Sequence, residues 1–231
     1  MWLNNSISVI IPAGGSGKRM GTDVAKQYLL LNGKPVIDRT IEVFNSHPAV
    51  KEIVIVVPSH DVLAESVRLK PLFDKVKGVT SGGKERINSV ENGFKELSLQ
   101  SGIILVHDAV RPFVRHSDID AVVSELSECD ACTVAVPVKD TIKIVEDGKT
   151  ISSTPDRKKL WHTLTPQGFS RGVLDRLFKY AADNNINGTD ECMVAEAMGL
   201  KVNVVTGSYN NIKITTKEDL LFADAIVKSG Y

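Results

Sequence analysis

The chain has 231 residues, with 28 basic side chains balanced by 28 acidic ones. The balance excludes the broad basic footprint of a nucleic-acid-binding domain, and no apolar run approaches the ~18 residues of a membrane span. Three cysteines are too few for a disulfide framework, and Met1–Asn5 lacks the charged and apolar regions of a signal peptide, so a reducing cytoplasm is expected.

The first apolar run, Ile7-Ser8-Val9-Ile10-Ile11, reads as a buried strand. A loop follows, Ala13-Gly14-Gly15-Ser16-Gly17-Lys18-Arg19-Met20-Gly21. Gly14, Gly15 and Gly17 lack a Cβ, so the backbone can turn sharply and bring its N–H groups to an anion. Lys18, Arg19 and Lys26 add positive charge nearby, a combination that suits a triphosphate. It is not a Walker A loop, because Pro12 stands at the first glycine and Arg19 follows Gly17-Lys18. Nor is it a dinucleotide fingerprint, since Gly15 and Gly17 are followed by Met20 at the third glycine.

Pro35 with Val36, Ile37, Ile41 and Phe44 predicts a helix with proline near its first turn. Glu52–Pro58 is a second strand, apolar throughout and so covered on both faces. A helix at Val62–Leu69 and a short strand at Val76–Thr80 come next. Ser81-Gly82-Gly83-Lys84-Glu85-Arg86 is a glycine-rich turn before a helix carrying Ile87, Val90, Phe94 and Leu97. The turn reads either as a ligand-holding helix N-terminus or as an ordinary strand-to-helix connection. Ile103–Val106, a third buried strand, ends at His107-Asp108. Ligands of open parallel sheets sit beyond the carboxyl ends of strands, so Asp108 could hold Mg2+ against phosphate oxygens. It could equally hydrogen-bond the turn into Arg111-Pro112. His107 has no neighbour at zinc-ligand spacing and reads as structural. Ser117 with Asp120 reads as the start of a capped helix. Cys129-Asp130-Ala131-Cys132 lacks a second pair and reads as buried small residues. Cys132–Val138 is a fourth core strand.

Beyond Val138 the pattern changes. Thr141–Val145 alternates, and Glu146–Lys149 is a hairpin turn. Such a hairpin has little core of its own and should pack on something, another subunit being one candidate. Thr154–Arg157, Leu160-Trp161 and Leu164–Phe169 follow without an assigned element. Helices are predicted near Arg171–Asn184 and Glu191–Met198, a strand at Val202–Val205 and a short extended piece at Asn211–Thr215. Thr216 with Asp219 caps a last helix. The fold class is therefore α/β: one Rossmann-like domain spanning 1–231, with a mostly parallel sheet flanked by helices and an arm near 138–158.

The loop at 13–21 with Lys26-Gln27 resembles the nucleotidyltransferase superfamily. The ordered motifs Gly82–Arg86, His107–Pro112, Asp140–Lys143, Thr154–Arg157, Leu160-Trp161, Thr165–Gln167 and Asn211–Thr215 narrow this. Together they resemble the 2-C-methyl-D-erythritol 4-phosphate cytidylyltransferases of non-mevalonate isoprenoid biosynthesis, from about Val9 onward. The resemblance implies transfer of CMP from CTP to methylerythritol phosphate, with Mg2+ as cofactor. It yields pyrophosphate and 4-diphosphocytidyl-2-C-methyl-D-erythritol. It further implies that Pro12, Ala13, Gly14, Gly15, Gly17 and Ala109 surround the nucleotide, with Gly82, Gly83 and Ser89 on base and ribose. Arg19, Lys26 and Lys213 would be the catalytic cations and Asp108 the metal ligand. Thr141, Arg157, Thr165 and Thr189 would bind the acceptor. Thr141 and Arg157 would act in the neighbour's site, because the family's arm crosses to a second subunit of a homodimer. Lys84 departs from the acidic residue common there, and Gly14 from alanine. The acceptor phosphate is already anionic, so no general base is required, and no Ser-His-Asp set appears. The His107–Phe113 stretch is shared with ribitol-5-phosphate cytidylyltransferases, which are the alternative within this chemistry. A catalytically silent nucleotide-binding protein is the alternative outside it.

Overall fold

The structure, a computed structural model, describes residues 6–15, 24–98, 100 and 102–230. The first half alternates strand and helix. β1 (Ile7–Pro12) leads to a small hairpin, β2 (Leu30–Leu31) and β3 (Lys34–Pro35), and then to α1 (Val36–Ser46). The hairpin, unassigned from sequence, turns at Asn32 and Gly33, both at positive φ, a dipeptide suited to such a turn. β4 (Val50–Val57), α2 (Val62–Leu69), β5 (Val76–Ser81), α3 (Arg86–Lys95) and β6 (Ile103–Val106) follow. The second half runs α4 (His116–Glu125), β7 (Ala131–Pro137), β8 (Ile144–Val145), β9 (Ile151–Ser153) and β10 (Trp161–Ser170). It ends with α5 (Arg171–Asp183), α6 (Glu191–Ala197), β11 (Val202–Thr206) and α7 (Lys217–Lys228).

The main sheet has seven strands in the order β11-β7-β10-β6-β1-β4-β5. β1 pairs in parallel with β4 and β6, β4 with β5, and β7 with β11. Helices cover both faces, which is why these strands are apolar without alternation. Val9 and Ile11 face α1 and α4 through Ile37, Ile41, Phe44, Ile119 and Val122. Ile10 faces the other way, toward Val90 and Phe94 of α3 and Leu174 and Leu177 of α5. α7 closes a third cluster with Leu31, Val110, Phe113 and Ile214.

Two local readings change. Leu160–Phe169 had no assigned element, yet residues 161–170 form the strand that joins the two halves of the sheet, antiparallel to both β6 and β7. Pro166 and Gly168 are both residues that a strand interior disfavours. Pro166 lies where the β10–β7 register breaks, between Thr163 and Gln167. Gly168 lies where the sheet approaches α4 so closely that a Cβ would collide with Val122. Second, α4 begins before Ser117. Asp118 accepts the Arg115 backbone N–H at 3.0 Å and pairs with its guanidinium, while Asp120 turns to His47. Asn211–Thr215, expected as a short extended piece, joins no sheet, and Ile214 N–H donates to the Val110 carbonyl at 2.9 Å.

The remaining signals hold. Thr216 and Asp219 cap α7 reciprocally. β8 and β9 form a separate two-stranded ladder whose Ile144, Val145 and Ile151 are exposed. Among the described residues no helix is long and apolar enough to cross a membrane.

Candidate active site

A cleft of about 470 Å3 opens at the carboxyl ends of β1, β4, β5 and β6. Its volume is in the range of small-molecule sites. The strand ends are stitched together by backbone: Ala13 N–H donates to Val56, Gly82 N–H to Val57 and His107 N–H to Ile10. These bonds fix where the three loops depart.

On the β1 side the wall is Pro12, Ala13, Gly14 and Gly15, with Lys26 and Gln27 arriving from beyond the loop. Lys26 lies over Gly15, where a Cβ would sit 3.2 Å from its Cε. Among the described residues nothing lies within 4 Å of where a Cβ on Gly14 would sit. Gly17 and Arg19, expected here, lie outside the described residues.

The second wall is the turn after β5. Gly83 N–H donates to Ser89 Oγ at 3.0 Å, and that hydroxyl donates to the Glu85 carbonyl at 3.1 Å. Asn88 Oδ1 accepts the Glu85 N–H at 3.2 Å. The turn is thus clamped onto the first turn of α3, so tightly that a Cβ on Gly83 would collide with Asn88. The helix N-terminus faces the cleft through Glu85 and Arg86.

The third wall follows β6. Asp108 is buried, with Lys213 Nζ 2.9 Å and Arg111 Nε 3.2 Å from Oδ2, and Arg86 3.6 Å from Oδ1. Burial alone would raise its pKa, but Lys213, Arg86 and Arg111 outweigh burial and hold the carboxyl far below the usual range. Ala109 lines the same wall. Beneath it, His107 is fully buried, and Nε2 meets the Arg111 carbonyl at 3.0 Å, so Nε2 carries the proton. Nδ1 therefore accepts from Thr165 Oγ1 at 2.9 Å, and Thr165 Oγ1 in turn accepts the Asp108 N–H at 3.2 Å. Burial lowers the His107 pKa to about 4, the neutral form that this chain requires.

Sequence reasoning missed four supporting residues. Arg86 NH1 reaches both oxygens of the fully buried Glu191 at 2.7 and 2.6 Å. Burial opposes the Arg86 charge, but Glu191 and Asp108 outweigh burial and raise its pKa. The Glu191 pKa is raised by burial, with Arg86 opposing. Gln27 is buried and donates to the Ala13 carbonyl at 2.8 Å. Asn211 is fully buried, donates to the Thr165 carbonyl at 2.8 Å and accepts Arg111 on its own carbonyl at 2.9 Å. That anchors the loop presenting Lys213. Arg86 and Gln27 carried a signal as polar neighbours of the two glycine-rich turns, and Asn211 as the first residue of the Asn211–Thr215 motif.

The expected acceptor residues are scattered. Thr165 lies under Asp108. Thr189 is exposed before α6, with its hydroxyl on Met193. Thr141 and Arg157 are exposed on the arm, Arg157 donating to the Lys139 carbonyl at 2.6 Å. None of these four lines the cleft. Among the described residues no group of three or more His, Cys, Asp or Glu could hold a metal. One ionised carboxylate beside a phosphate-sized cleft still fits Mg2+, which takes one or two carboxylates and completes its shell with phosphate oxygens and water.

The family profile described as 2-C-methyl-D-erythritol 4-phosphate cytidylyltransferase matches residues 7–229. A protein of that name from Geobacter metallireducens is 42% identical over 228 residues, covering 96% of this chain and 98% of its own. Another from Geotalea uraniireducens is 43% identical over 227 residues, covering 96% and 97%. A crystal structure of 4-diphosphocytidyl-2C-methyl-D-erythritol synthase from Anaerococcus prevotii superposes with a TM-score of 0.85 at 31% identity, covering 97% of this chain and 96% of its own. That of the Francisella tularensis cytidylyltransferase gives 0.82 at 32% identity, covering 96% and 99%. The matched span includes the strands and the cleft-lining segments, and the chain belongs to the 2-C-methyl-D-erythritol 4-phosphate cytidylyltransferase family.

Proposed function

We propose that this chain transfers CMP from CTP to 2-C-methyl-D-erythritol 4-phosphate, working as a homodimer. The observation that carries the reading is Asp108, ionised and framed by Lys213, Arg86 and Arg111 in a cleft walled by two glycine turns. An acceptor phosphate oxygen attacks the α-phosphorus of CTP. The bond from that phosphorus to the bridging oxygen breaks, and pyrophosphate leaves with the electron pair. The nucleophile is already anionic, so the work is to bring two polyanions together and stabilise the charge that develops. Lys26, over Gly15, and Lys213 would act on the triphosphate together with Arg19. Gly82, Gly83 and the first turn of α3 would take the base and ribose. Asp108 would hold Mg2+, which when bound neutralises phosphate oxygens.

Thr165 and Thr189 would serve the acceptor from one subunit, with Thr141 and Arg157 from the arm of the other. Arg157 suits a phosphate because its planar fork donates two bonds at once. The exposed Ile144, Val145 and Ile151 support an arm that is covered by a second copy. The free state of Cys129, Cys132 and Cys192 supports a cytoplasmic setting.

The test is pyrophosphate release from CTP and Mg2+, run with methylerythritol phosphate and in parallel with ribitol 5-phosphate. Release with the first acceptor only is expected. Release mainly with ribitol phosphate would overturn the acceptor assignment, and release with neither would leave a silent nucleotide binder.

A further inference from the structure

We infer that Arg86 and Glu191 are a positioning pair for this reaction: Glu191 draws Arg86 away from Asp108 and so keeps that carboxylate available to a divalent cation. The inference rests on the proposed role of Asp108. The distances are unequal. Arg86 NH1 meets both Glu191 oxygens at 2.7 and 2.6 Å, whereas Arg86 NH2 stands 3.6 Å from Asp108 Oδ1. The first are charge-assisted hydrogen bonds; the second is too long to be one. Asp108 already has two cations on its other oxygen, Lys213 and Arg111. A third close cation would complete a cage around Asp108, which with Glu85 forms the acidic lining of the cleft among the described residues.

Glu191 is built to stay in place. It is the first residue of α6 and fully buried. Its N–H donates to Gln167 Oε1 at 3.2 Å, Gln167 being fully buried on β10. Asp190 caps the same helix through Met193 N–H at 2.8 Å. A carboxylate fixed at this depth costs more than it returns as a stabilising pair. Its steering of Arg86 gives this buried carboxylate a role beside the cleft.

The experiment measures the Mg2+ concentration at half-saturation of CTP binding, by calorimetry, with pyrophosphate release and thermal melts alongside. Glu191→Gln keeps the shape and removes the charge, leaving Asp108 as the nearest anion for Arg86. The Mg2+ requirement should rise about 5-fold or more, with a smaller change in kcat at saturating Mg2+. The double variant Arg86→Gln/Glu191→Gln removes both charges and should return the requirement to within about 2-fold of wild type. Arg86→Lys keeps a cation for Glu191 without the second nitrogen facing Asp108, and should not raise the requirement. An unchanged requirement in Glu191→Gln would overturn the inference. So would a double variant as impaired as the single one, or a rise in Arg86→Lys, which also serves if Glu191→Gln does not fold. Wild-type CTP binding without Mg2+ dependence or turnover would instead overturn the role of Asp108 itself.

Discussion

Gln27 joins the two ends of the glycine-rich loop. Its side-chain amide donates to the Ala13 carbonyl across 2.8 Å, so the residue after Lys26 is tied to the residue that follows β1. The amide is buried, and its own oxygen has no partner among the described residues. Gln27→Leu fills the space without the bond and strands a buried carbonyl, at a cost of about 1–3 kcal/mol. The expected result is a lower melting temperature and a fall of about 10-fold or more in kcat/KM for CTP as Lys26 loses its register. Unaltered kinetics in a destabilised variant would limit Gln27 to the fold.

Lys26 itself lies over Gly15 at the cleft wall. Lys26→Ala should lower kcat on the order of 10²-fold with a smaller effect on CTP affinity, if the charge acts chiefly on the transition state. Steady-state kinetics beside equilibrium CTP binding separates the two. A kcat equal to wild type would remove Lys26 from the catalytic set.

Gly83 faces Asn88 at a distance no Cβ can occupy. Gly83→Ala must shift the turn or α3, costing about 1–3 kcal/mol, and should weaken CTP binding because Gly82 and Ser89 move with it. Calorimetric CTP binding and a thermal melt check both. Gly14→Ala meets no described residue within 4 Å and should be nearly silent in the melt.

The pH dependence follows from His107. Its folded pKa of about 4 lies below the ordinary 6.5, so the unfolded chain binds the proton first. Stability is full above pH 6.5 and is lost as pH falls toward 4, by about 3 kcal/mol in all. His47, lowered by burial, acts in the same direction. Glu191, raised by burial, acts in the opposite one. The Asp108 contribution persists until pH falls well below this window. Melting temperature should therefore drop between pH 7 and pH 5, and His107→Gln should flatten that slope. A slope unchanged in the variant would assign the effect elsewhere.

Much of this was legible from residues alone. Continuous apolar runs marked the buried parallel strands, and the two glycine turns with Asp108 marked the cleft, because sheet and phosphate chemistry both write themselves locally. What was hidden depends on distant partners. Trp161–Ser170 contains proline and glycine at places that only the neighbouring strand and α4 explain. Ser117 and Asp120 have the right spacing for a cap, but Arg115 with Asp118 and His47 with Asp120 are the pairs that form. Arg86 and Glu191 are separated by 105 positions, and nothing in either segment announces the other.

The central placement of β10 also constrains the order in which a nascent chain can assemble. β1, β4 and β5 have all their sheet partners within residues 7–106, and β6 has one of its two there. β7 has none there, because its partners are β10 and β11, both further along the chain. Until residues 161–170 emerge, the fully apolar β6 presents a bare edge and β7 waits with both sides open. A nascent chain paused before β10 would thus carry an aggregation-prone seam, open until α4, β7 and the arm have all been translated.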